Sequence, residues 1–360
     1  MQLLVGSSKG LIVFERQAGT WRIIGTQFLG LPVSLIFTDP RDGTWWVGVA
    51  HRHWGQKLHR SRDRGHSWED IPAPRFPAGA MFRADQPAKL RKIWCMQAGT
   101  PQQPSRLYLG VEPAALFVSE DSGDTWYLEE HLWQHPSRTD PNQWFGAGRD
   151  LPFLHSIVVD PRDADHLYVA VSCAGVFESR DGAASWQPRN RGLIAAYLPK
   201  SDVEIGHDPH LLLACEARPE VMWQQNHCGV FRSTDGGKQW HLVNQPELHV
   251  DYGFALAIDA TDPERAWVIP VHSDEMRITP GLAQYVAHSH DGGASWQAQR
   301  TGLPQQHAFD IVLRHAFVRQ QQVMAFGTNA GNLYLSENDG QSWCTLSQTL
   351  PRVSILAWAE

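Results

Sequence analysis

At 360 residues and 42% hydrophobic content, the chain can bury one large core or two ordinary ones, so length leaves the domain count open. Its 31 basic and 38 acidic residues give a formal charge of -7 without a block of either sign, which excludes the clustered Lys and Arg of a nucleic-acid or anionic-membrane binder. Five cysteines (Cys95, Cys173, Cys215, Cys228, Cys344) form no CxxC pair and are odd in number, so no disulfide framework is expected.

The opening "MQLLVGSSKGLIVFE" reads as two short strands around a turn, without the basic and continuous apolar regions of a signal peptide. No later run approaches the ~20 apolar residues of a membrane span. The expected setting is cytoplasmic, with no membrane and no nucleic acid as partner. From Gly10 the stretch "GLIVFERQAGTW" predicts a hairpin ending at Trp21. Six related octapeptides follow: "SRDRGHSW" from Ser61, "SEDSGDTW" from Ser119, "SRDGAASW" from Ser179, "STDGGKQW" from Ser233, "SHDGGASW" from Ser289 and "SENDGQSW" from Ser336.

Each octapeptide sits between short apolar runs such as "GVFE" (175 to 178) and "NLYL" (332 to 335), the pattern of a β-hairpin. Asp accepts hydrogen bonds from amides of its own turn, Gly supplies positive φ, and the Ser hydroxyl ties the entering strand to the loop. Trp adds a large apolar surface for a neighbouring unit to cover. The roles of Asp63, Asp121, Asp181, Asp235, Asp291 and Asn338 are therefore structural. Ala183, Gln239 and Asn338 are the mild departures from the pattern.

The tryptophans Trp21, Trp68, Trp126, Trp186, Trp240, Trp296 and Trp343 are separated by 47, 58, 60, 54, 56 and 47 residues, room for four short strands per repeat. "LHSIVVDPRDADHLYVAVSCAGVFESRDGAASW" (154 to 186) shows the unit best: strand, Asp-Pro turn, strand, strand, octapeptide. The chain begins at the second strand of its first unit, and "VSILAWAE" is a lone strand after the last octapeptide, so the two ends complete one sheet. The prediction is an all-β, seven-bladed β-propeller forming a single domain over residues 1–360, closed by the C-terminal strand joining the N-terminal blade. A six-bladed ring would require discounting the Trp21 unit.

The octapeptides resemble Asp boxes, or BNR repeats, of the sialidase/sortilin-like superfamily. The stretches "LHSIVVDPRD", "RNRGL", "QQNHCGVFRSTDGG", "SDEMRITP" and "FGTNAGNLYLS" are similar to those of a widespread bacterial set of Asp-box β-propeller proteins often labelled glycosyl hydrolase. The resemblance covers nearly the whole chain. It implies a fold more than a function, since such propellers include sialidases, xyloglucan-cleaving hydrolases, sortilin-type receptors and photosystem II assembly factors. It also implies, from gene neighbourhood, a ubiquitin-fold sulfur-carrier-like protein as partner.

Aligning the units on the box Ser places His155 and His210 at equivalent starts of first strands. Glu112, Asn226 with His227, and His272 with Asp274 and Glu275 fall at the ends of second strands. Arg149 and Arg277 lie on adjoining loops. These ten residues are the candidate ligand-binding set, a polar pocket at the channel mouth for an anionic small molecule or a protein tail. No HExxH-like spacing is present, and neither metal nor cofactor is expected. The polar run "MWQQNHCG" (222 to 229) reads either as bonding across to a neighbouring blade or as ligand contact through Asn226 and His227.

The chain reads as a binding or assembly module. The alternative is a non-sialidase glycoside hydrolase using two carboxylates from Glu112, Asp150, Glu204, Asp274 and Glu275, with Trp54, Trp133, Trp144, Phe145, Tyr197 or Tyr285 stacking on sugar rings. A sialidase is disfavoured, because Arg16 and Arg22 lie in no FRIP-like motif and the nucleophilic Tyr–Glu pair cannot be placed.

Overall fold

A computed structural model of the chain describes residues 1–51, 53–140, 142–146 and 148–359. Among the described residues short strands dominate, with one single-turn helix, Glu130–Trp133, and brief 3-10 turns between them. The chain divides into two compact units. One comprises Met1–Val33, Arg191–Ala196 and His210–Glu360; the other comprises Ser34–Asn190 and Tyr197–Pro209.

In the first unit the C-terminal strand Val353–Ala359 pairs antiparallel with Gln2–Ser7, which pairs in turn with Gly10–Gln17 and then Thr20–Gln27. The two ends of the chain thus share one sheet, as expected. The reason lies in the register: Val5 opposes Leu356 and Leu4 opposes Ala357, so a strand with no partner of its own buries Val353, Ile355 and Leu356 against apolar neighbours. Two more four-stranded sheets begin at Pro209–Cys215 and Gly253–Ile258, and the four strands beginning at Val312–Gln320 join the sheet of the chain ends, where His315 pairs in parallel with Ile355, to make eight strands. Leu3, Val5, Trp267, Phe326, Trp343 and Leu356 belong to one continuous core here.

The second unit holds three four-stranded sheets, beginning at Val33–Thr38, Lys92–Ala98 and Leu154–Val159, plus a small hairpin, Met81–Arg83 with Gln86–Pro87, that the repeat pattern did not announce. The fold class is the expected one: all-β, about seven four-stranded blades among the described residues, with the N- and C-terminal strands joined in one sheet.

The boxes show why the octapeptide recurs. At the fifth copy Ser289 Oγ donates to Asp291 Oδ1 (2.9 Å) and accepts from Gly293 N (2.8 Å), while Asp291 accepts from Ser295 N (2.9 Å) and Ser295 Oγ (2.6 Å). The hydroxyl at the seventh position is therefore part of the device. It holds the carboxyls of Asp63 and Asp291 down at about 2, through Ser67 and Ser295. Two successive residues take positive φ, as at Ser122 (59°) and Gly123 (86°), and a Cβ on Gly123 would lie 2.3 Å from the Trp46 ring. Ala183 carries its Cβ at a φ of 77°. At the fourth copy Gln239 supplies no hydroxyl, so Asp235 accepts from Ser233 Oγ (2.8 Å), Gln239 N (3.0 Å) and the Lys238 main chain instead. Asn338 keeps both acceptor roles and donates its amide to Ser342 Oγ (2.9 Å). The degenerate unit at Trp21 is a true hairpin, with Arg16 opposite Trp21.

A second recurrent device occupies the turn between first and second strands. Asp39, Asp160 and Asp259 are buried, and each accepts from the amide two residues on, at Arg41 (3.0 Å), Arg162 (2.9 Å) and Thr261 (2.9 Å).

Candidate functional site

The candidate residues fall into two groups, one in each unit. In the first unit, His210 is the second residue of its strand and is buried. Its Nδ1 lies 2.6 Å from the Gly253 carbonyl, and since a carbonyl only accepts, Nδ1 carries a proton. Phe254 stacks on the ring at 4.6 Å and 25°, and Tyr252 stands edge-on at 5.7 Å. His227 approaches both, 5.8 Å from His210 and 5.4 Å from Tyr252.

Above this aromatic floor lies a partly exposed polar rim. Asp274 accepts from the Tyr252 hydroxyl (3.0 Å), pairs with Arg277, and has its Oδ2 3.8 Å from His227 Nε2. Arg277 also lies over the Phe254 ring at 5.6 Å. Burial alone would raise the Asp274 carboxyl, but the bonds from Arg277 and Tyr252 outweigh it and hold the group below its ordinary range. A ring floor with donors from Arg277 and His227 beside an acceptor on Asp274 can hold a ligand that carries both polarities.

Asn226 is fully buried and belongs to its own hairpin. Its Nδ2 donates to Gln224 Oε1 (2.6 Å) and its Oδ1 accepts from Cys228 N (3.0 Å), while Gln225 Nε2 donates to the Asn226 and Gly229 carbonyls. The polar run therefore closes on itself instead of bonding across to a neighbouring blade through these amides. The reason is the tight Asn226–Gly229 turn, which presents several main-chain groups at once. His272 packs beside His249 at 5.1 Å, and Glu275 is exposed with no side-chain bond among the described residues.

In the second unit Glu112 is buried and accepts from Arg149 Nε (2.7 Å) and Trp94 Nε1 (3.3 Å). Trp94 is covered on one face by Phe153, stacked at 4.1 Å, and on the other by Lys92 Nζ at 3.4 Å. His155 is fully buried beside Phe153, with Nδ1 2.9 Å from Ser156 Oγ. Both candidate arginines are already paired, Arg149 with Glu112 and Arg277 with Asp274, so an anionic ligand would share either arginine with a carboxylate. Asp150 pairs with Arg91 (3.1 Å).

Tyr252 and Phe254 were not anticipated. Phe254 is the second residue of its strand, the position His155 and His210 hold in theirs, so the same box alignment contained the signal, hidden because a Phe does not announce itself as polar chemistry.

No family model matches the chain. An oligoxyloglucan-reducing end-specific xyloglucanase of Emericella nidulans is 24% identical over 277 residues, which covers 66% of this chain and 30% of that enzyme. A probable enzyme of the same name from Neosartorya fischeri is 26% identical over 196 residues, 52% of this chain and 22% of the relative. The chain thus spans less than a third of the curated relatives it matches. Among solved structures, an ancestral GH74 enzyme superposes over 99% of this chain and 40% of its own, with TM-score 0.56 and 13% identity. YCF48 bound to D1 peptide covers 94% and 89%, with TM-score 0.53 and 14% identity. A putative 6-phosphogluconolactonase from Bacteroides uniformis covers 99% and 98%, with TM-score 0.58 and 12% identity.

The chain has the Asp-box β-propeller fold. Its relation to GH74 xyloglucanases and to YCF48 is distant, and at these identities the structural likeness speaks for the fold alone.

Proposed function

We propose that this chain is a cytoplasmic binding module that holds the end of a protein tail on the His210–Phe254 floor. The tail's carboxylate contacts Arg277 and His227, and its last amide donates to Asp274. The observation that carries this reading is the shared Asp274 carboxylate, which Tyr252 and Arg277 fix in place beside a partly exposed histidine, so donors and an acceptor stand ready within one small surface. One fold neighbour, YCF48 bound to D1 peptide, supports peptide binding as a use of this fold. The diglycine tail of a ubiquitin-fold carrier protein is the partner this reading favours, since an unbranched tail fits against a ring floor without steric demand.

Titration calorimetry of the full chain with a hexapeptide ending in Gly-Gly tests the reading. The free-acid peptide should bind, its C-terminal amide should bind at least tenfold more weakly, and Arg277→Ala and His227→Ala should each weaken the acid by a similar factor. No binding of the acid at millimolar peptide, or equal binding by acid and amide, refutes it.

A second reading has its own observation. A cleft of about 810 Å³ in the second unit is lined by Asp140, Glu204, Phe145 and Lys200 among others, and burial pushes the Glu204 carboxyl up. A carboxyl pushed up by burial, sharing a cleft with a second carboxylate and an aromatic ring, is equipment that a glycoside hydrolase can use. Most of the other candidate carboxylates are engaged, Glu112, Asp150 and Asp274 by arginines. Release of reducing sugar from xyloglucan oligosaccharides, abolished in Glu204→Gln, supports this reading; no release by the unaltered chain removes it.

A further inference from the structure

The hairpin joining Trp45–His51 to Gly55–Ser61 ends in Trp54, which is 74% exposed. In a chain that fully buries Trp45, Trp144, Trp223, Trp240 and Trp267, an indole left in water at a hairpin tip is out of keeping with the fold's own needs. Trp54 stands at the lip of a cleft of about 590 Å³ in the second unit. The wall below it is the segment Ile71–Phe76, "IPAPRF". Two prolines hold that segment extended, and Phe76 is pinned behind it against Phe117 (5.2 Å) and Trp133 (5.0 Å), so the wall is rigid before anything binds.

The net charge of the cleft is positive. Lys57, Arg75 and Lys89 line it against a single carboxylate, Asp70, which Lys57 already faces at 3.8 Å. Arg75 and Lys89 are exposed and make no ion pair among the described residues. In a protein with a formal charge of -7, two unopposed cations beside an exposed indole form a local exception to the surface.

We infer that this cleft is a docking groove for an acidic linear peptide, whose carboxylates meet Arg75 and Lys89 and whose apolar side chain covers Trp54. Extended main chain fits beside the Pro72–Pro74 wall, which is itself extended and offers little steric hindrance. Trp and Arg are the residue types that dominate binding energy at such contacts. The groove involves none of the residues of the Asp274 rim.

Fluorescence anisotropy of the full chain with a labelled twelve-residue Glu/Asp peptide carrying one central Phe tests the inference. The peptide should bind at 50 mM NaCl and weaken severalfold at 300 mM. Trp54→Ala should weaken it at least tenfold, as should the double change Arg75→Glu with Lys89→Glu; all three side chains are exposed, so folding should be intact. His227→Ala and Arg277→Ala should leave this binding unchanged, which separates the groove from the proposed tail site. The inference is overturned if the acidic peptide does not bind at millimolar concentration, if a Lys-substituted peptide binds equally well, or if Trp54→Ala has no effect. Sedimentation showing a dimer of the unaltered chain that Trp54→Ala dissolves assigns the groove to a second copy and overturns the peptide as occupant.

Discussion

Glu178 offers the sharpest test of how the second unit is held together. Its carboxylate is buried and accepts from His166 Nε2 (2.8 Å), the Tyr168 hydroxyl (2.9 Å), Arg180 Nε (3.0 Å) and Arg189 Nε (2.7 Å). Burial alone would raise this carboxyl, but the bonds from His166, Arg180 and Tyr168 and the charge of Arg189 outweigh it and bring it to about 2 from an ordinary 4.5. At about 1.4 kcal/mol per pH unit, that difference is worth about 3 kcal/mol of folding stability at neutral pH. Glu178→Gln keeps the shape and removes the charge, leaving Arg189 half-buried without its anion while His166 keeps Asp160 at 3.3 Å, so the loss should be about 3 kcal/mol. Because the folded carboxyl lies below its unfolded value, the contribution is complete above about pH 4.5 and disappears as pH falls through about 2. Urea unfolding of both proteins between pH 7 and pH 2.5 should therefore show a large gap that narrows steadily below pH 4.5. A loss under about 1 kcal/mol at pH 7, or a gap that stays constant into acid, refutes the reasoning.

Asp291→Ala should destabilise by about 1 to 3 kcal/mol and Asp235→Ala by about 1 kcal/mol less, because Asp235 lacks the hydroxyl donor that Ser295 gives Asp291; urea midpoints that rank the two the other way contradict this. Ala183→Gly should stabilise by roughly 0.5 to 1 kcal/mol by relieving the Cβ at positive φ, and a lower melting temperature would show that the methyl group's packing matters more. Removing Val353–Glu360 should expose the edge of Gln2–Ser7 and uncover Leu3 and Val5, so the shortened chain should aggregate or lose its cooperative transition; a soluble product with one sharp transition argues against closure by this strand.

The blades, their number, their order and the pairing of the two chain ends were legible in the sequence because they rest on local chemistry. A Ser, an Asp and two positive-φ residues satisfy one another within eight positions, and no distant contact is needed to make the turn. The polar candidates were legible as positions too, since strand starts and ends follow from the same spacing. What they do there was not. Whether Asn226 faces a ligand or its own hairpin, whether Arg277 stands alone or is paired with Asp274, and whether Phe254 lies under His210 are decided by which side chains meet in the folded chain. Trp54 makes the same point in reverse: sixteen tryptophans look alike in the sequence, and only the packing of the hairpins settles which are buried as core and which one is left in water. Hydrogen bonds within a turn are set by a few neighbouring residues, whereas burial and charge pairing depend on the whole assembly of strands, so the sequence alone determined the scaffold and only the tertiary structure decided the sites.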